Sequence, residues 1–112
     1  MLTITIAGSQ YPVHFGLRGL TEFAKKTGHS FGDIVSAEEV TSSIEGLVAI
    51  GVLGLNEGAR KSGAKNAKTF TENDIWDAID EDPGILLQIA DAFSTSIRPL
   101  IDKLGRVVDP NS

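Results

Sequence analysis

Leu2-Thr3-Ile4-Thr5-Ile6-Ala7-Gly8-Ser9-Gln10-Tyr11-Pro12-Val13-His14-Phe15 opens the chain and decides its fold class. Leu2, Ile4 and Ile6 alternate with Thr3 and Thr5. A period of two with β-branched residues marks a half-buried strand. Ala7-Gly8-Ser9-Gln10 supplies turn chemistry. Tyr11, Val13 and Phe15 then alternate with Pro12 and His14, which reads as a second strand. Pro12 cannot donate to a ladder, so that strand belongs at an edge. Two strands alone are marginally stable. The hairpin must therefore pack on the rest of the chain, which reads as helical.

Leu17–Thr27 places Leu17, Leu20, Phe23 and Ala24 on one face, with Lys25 and Lys26 in the last turn and Gly28 as a stop. Phe31, Ile34 and Val35 form a short apolar connector. Ser36-Ala37-Glu38-Glu39 has the pattern of a capping box, with Val35 and Val40 as its staple. Ile44–Ala59 carries Ile44, Leu47, Val48, Gly51, Leu55 and Ala59 on one face. Ile50, Val52 and Leu53 add apolar positions elsewhere, so the helix is central or covered by a partner. Its glycines leave a buried strand over Val48–Leu53 as a competing reading. Glu57–Thr69 reads as a loop and holds Arg60, Lys61, Lys65 and Lys68.

Phe70-Thr71-Glu72-Asn73-Asp74-Ile75-Trp76 is a second capping box, Thr71 with Asp74, stapled by Phe70 and Ile75. Asp82 then caps a further helix with Pro83 at its first position. Ile85, Leu86, Ile89, Ala90, Phe93, Ile97, Leu100, Ile101 and Leu104 hold a helical period. The expected architecture is a single α+β domain over 1–112. A two-stranded β-hairpin at 1–16 packs on a mainly helical part of about four helices at 17–104, and 105–112 is a flexible tail.

Bulk properties narrow the function. The chain has 112 residues, 41% hydrophobic, which suits one domain with one modest core. Ten basic against fifteen acidic residues give a net charge of −5. Phosphate neutralisation supplies most of nonspecific nucleic-acid affinity, so DNA and RNA are poor partners for this chain. No cysteine is present, which removes disulfides and thiolate chemistry. The N-terminus has neither the basic nor the long apolar segment of a signal peptide. The longest apolar run, Gly46–Leu55, is far short of the ~20 residues of a membrane span. A soluble, unsecreted protein is expected.

No catalytic or metal motif emerges. His14 and His29 lack a nucleophile, carboxylate or metal set beside them in sequence and read as structural or surface residues. The acids from Glu72 to Asp82 lack the glycine and glutamate placement of a calcium loop and suit helix starts, where the macrodipole favours them; the competing role is recognition of a basic partner. Gly51, Gly54 and Gly58 share a helix face. They read as close packing within the domain, with contact to another chain as the alternative. Arg60–Lys68 reads as a solvated cationic stretch, and Trp76 as core or a partner anchor.

With these elements placed, the chain resembles the phage tail assembly chaperones, small proteins of tailed phages and prophages. The resemblance runs from Ile4 to Ile97. It rests on Ile4-Thr5-Ile6-Ala7-Gly8-Ser9-Gln10-Tyr11-Pro12-Val13-His14-Phe15-Gly16, on Leu20-Thr21-Glu22-Phe23 with Thr27-Gly28 and Asp33-Ile34, on the apolar middle helix, and on Phe70–Asp80 before a long helix. It implies an α+β fold without enzyme activity or cofactor. It implies binding of the tape measure protein before the tail tube polymerises, and recruitment of major tail tube protein subunits. It also implies a place in the host cytoplasm and absence from the mature virion. The rival readings are another phage structural component, such as a tail-completion or head–tail connector protein, and a small regulatory protein-binding module. Ile50 and Leu53, projecting away from the main apolar face, are the expected contact residues for a partner or for self-association.

Overall fold

The computed structural model describes residues 2–28, 43–63 and 69–108. The connector at Phe31–Val35, the Ser36–Glu39 capping box, His29, Lys65, Lys68 and residues 109–112 lie outside the described residues. Two antiparallel strands, β1 (Leu2–Ile6) and β2 (Ser9–Val13), precede four helices: α1 (Leu17–Thr27), α2 (Ile44–Ser62), α3 (Glu72–Glu81) and α4 (Gly84–Val108). The expected α+β fold, a hairpin on about four helices, is the one observed.

The hairpin turn is tighter than its sequence suggests. Ala7 and Gly8 alone form it, both at positive φ (51° and 83°), and Ile6 pairs directly with Ser9. Two residues at positive φ give the turn whose twist matches that of the flanking strands. Ser9 and Gln10 therefore belong to β2, which ends at Val13 rather than Phe15. Phe15 instead drops into the core, edge-to-face on Phe93 with ring centroids 5.4 Å apart.

Helix α2 is the centre of the molecule: β2, α1, α3 and α4 all pack on it. The Ser43 hydroxyl accepts from the Gly46 amide at 3.0 Å, and Gly63 closes the other end in the left-handed conformation. The strand alternative for Val48–Leu53 is thereby settled as helix. The helix also runs on past Ala59 through Arg60–Ser62, which the sequence assigns to a loop. The Arg60–Glu57 ion pair at 2.6 Å links neighbouring turns of this extension.

The glycine stripe of α2 explains how a helix can be so crowded. A Cβ on Gly51 would stand 2.7 Å from the Ile89 Cδ1 atom; on Gly54 it would enter the Phe15 ring, and on Gly58 the Pro12 carbonyl. Backbone therefore lies on backbone, and the His14 amide donates to the Gly54 carbonyl at 3.0 Å. Packing within the domain is what the stripe serves.

Helix α3 begins as its sequence predicts. The Thr71 hydroxyl accepts from the Asp74 amide at 3.2 Å, and the Asp74 carboxylate accepts from the Thr71 amide at 3.0 Å. Phe70 and Ile75 are both buried. The side-chain amide of Asn56 then grips Phe70 at two points, accepting from its N–H at 2.7 Å and donating to its carbonyl at 3.0 Å. That clamp ties the start of α3 to α2. Thr71→Ala removes the cap acceptor and should lower stability by about 1 kcal/mol in urea denaturation. Unchanged stability would mean that the cap contributes nothing.

Asp82 closes α3 and opens α4, its carboxylate accepting from the Gly84 amide at 3.0 Å. Helix α4 continues to Val108, so residues 105–108 extend it rather than forming a tail. It passes through Pro99, which withdraws one amide from the helix ladder.

Candidate partner-binding surface

On the side of α2 opposite the glycine stripe, the helix is not covered by the hairpin or α4. Among the described residues, Ala49, Val52, Leu53 and Asn56 form the floor of an open groove there. Phe23 and Lys26 of α1 make one wall, and Glu72 at the start of α3 stands on the other side. The groove has a volume of about 600 Å³. Its floor is apolar apart from Asn56, and its rim carries both signs of charge, from Glu22, Lys26, Glu57 and Glu72. Asn56 is already engaged with Phe70, so its amide shapes the groove rather than awaiting a ligand.

The two expected contact residues separate here. Leu53 is half-buried, packs near Gly19 of α1 and lines the groove. Ile50 is fully buried, at 0% exposure, and belongs to the core. It falls about 100° from Gly51, which would suffice to expose it on a helix packed on one side only. With neighbours on several sides, the buried arc of α2 is wide enough to include it. Val52, one residue from Leu53, takes its place in the groove. The main apolar face also differs at its start: Ile44 is half exposed, in the first turn of the helix.

The acidic stretch is dispersed by the fold. Asp74 and Asp82 are occupied at helix ends. Asp77, Glu81 and Asp82 border a smaller recess of about 380 Å³ beside the hairpin turn. No group of three His, Cys, Asp or Glu residues stands close enough to hold a metal ion among the described residues. His14 is half-buried and Trp76 is half-buried against the core. No helix among the described residues is long and apolar enough to cross a membrane.

Comparison with protein-family models, with curated proteins and with solved structures finds no match.

Proposed function

We propose that this chain is a phage tail assembly chaperone, which binds the tape measure protein and helps recruit major tail tube protein subunits. The observation that carries the reading is the groove over Val52 and Leu53, an apolar concave strip between two helices. A tape measure protein is long and largely helical, and one apolar helical face fits such a strip, as amphipathic helices fit the grooves of other binding domains. The charged rim supplies orientation. The resemblance in sequence suggests the partner, and the shape of the groove supports the reading. The proposed setting is the host cytoplasm, with the chain absent from the mature virion.

Co-expression with a tape measure protein encoded beside this chain should keep that protein soluble. Val52→Asp combined with Leu53→Asp should abolish the effect while the variant retains wild-type circular dichroism, because both side chains are only half-buried, on the groove floor. Ile50→Asp is the contrasting control: it buries a carboxylate without a partner and should unfold the domain. If the tape measure protein is equally insoluble with and without the wild-type chain, the chaperone reading fails.

A further inference from the structure

The ladder of the hairpin fixes which backbone groups face outward. Ile6 and Ser9 flank a two-residue turn, so they form a hydrogen-bonded pair, as do Ile4 with Tyr11 and Leu2 with Val13. Thr5–Gln10 and Thr3–Pro12 are the alternating pairs without bonds between them. The missing amide of Pro12 is thus harmless to the ladder. The N–H and C=O groups of Thr3 and Thr5 point off the outer edge of β1.

The two edges of this small sheet are closed differently. The β2 edge lies on α2, where the His14 amide meets the Gly54 carbonyl. The β1 strand packs on α4, and among the described residues the outward backbone groups of β1 are hydrogen-bonded by one side chain of that helix. The Thr5 N–H donates to the Gln88 Oε1 atom at 2.8 Å, and the Gln88 Nε2 atom donates to the Thr5 carbonyl at 3.1 Å. A primary amide presents one acceptor and one donor side by side, as a peptide unit of a neighbouring strand would.

We infer that Gln88 is an edge guard: its amide stands in for a third strand at Thr5, and what it keeps out is β1 of a second copy of this chain. An open edge is a template for pairing with another strand. The outward groups of β1 are complementary to themselves. Thr3-Ile4-Thr5 is symmetric about Ile4, so two β1 strands related by a two-fold axis set Thr3 of each opposite Thr5 of the other. Both donors and both acceptors of each strand are then used, and the exposed threonines form favourable cross-strand pairs. Gln88 occupies the Thr5 half of that arrangement.

Gln88→Ala and Gln88→Met test the guard, the second keeping the chain length without the amide. Sedimentation of the full chain, with amide hydrogen exchange, is the measurement. Both variants should shift, with rising concentration, from the 11.9 kDa monomer toward twice that mass, and should gain protection at the Thr3 and Thr5 amides. Adding Thr3→Pro, at a position whose N–H faces outward, should remove the gain. Variants that keep wild-type circular dichroism and gain no association overturn the inference. So does an association that leaves the Thr3 and Thr5 amides unprotected or survives Thr3→Pro. Loss of the fold in both variants overturns it too, since it would make Gln88 a scaffold residue.

Discussion

Gly58→Ala should destabilise the protein by about 3 kcal/mol, at the upper end of overpacking changes. A methyl group there would overlap the Pro12 carbonyl, with the Pro12 carbonyl carbon and the Val13 Cα close behind. These are backbone atoms and cannot swing aside. The strand must lift off α2, which also stretches the His14–Gly54 bond of 3.0 Å. The change would favour an isolated helix by roughly 1 kcal/mol, because alanine is the better helix former. The clash outweighs that gain. Gly51→Ala is the informative contrast. Its methyl would meet the tip of Ile89 at 2.7 Å, and a side-chain tip can turn away. It should therefore be much milder than Gly58→Ala. Urea denaturation of both variants measures the difference. Equal stabilities would show that β2 does not rest on α2.

Phe93→Ala should lower stability by about 3–5 kcal/mol, the usual range for deleting a buried aromatic side chain. Phe93 is fully buried and stands edge-on to Phe15. Phe15 in turn fills the space left by Gly54. The three residues make a column from α2 through the end of the hairpin to α4, so the cavity opens where three elements meet. For a domain whose total stability is typically ~5–15 kcal/mol, this is a large share. Thermal unfolding followed by circular dichroism should show a strongly lowered midpoint. A midpoint within a few degrees of wild type would mean the column collapses without loss.

Much of the fold is readable from residue order. The alternation in Leu2–Ile6 predicts β1, and the period from Ile85 onward predicts α4. Local chemistry also suffices for the Thr71–Asp74 box, because both partners are three residues apart. The errors arise where a distant element decides the outcome. Arg60–Ser62 has loop-like composition, yet the helix runs on through it to the Gly63 cap. Leu53 can be assigned to the outer side of α2 from its angle alone. Ile50 cannot, since its burial depends on how many neighbours surround that helix. The groove has the same origin: α1 and α3 flank α2, and no periodicity reports the space between them. Gln88 carries no signal either, because a glutamine on a helix is ordinary until a strand edge is set beside it.

The Thr5–Gln88 clamp joins residues 83 positions apart. During synthesis, at about 5–20 residues per second, roughly 4–17 s separate the appearance of the strand from that of its glutamine. Throughout that interval every nascent chain on a shared messenger carries the β1 edge without its Gln88 clamp. The sheet has only two strands, and such a hairpin is at best marginally stable alone. That marginal stability keeps the N-terminus from committing to a neighbour before α4 arrives.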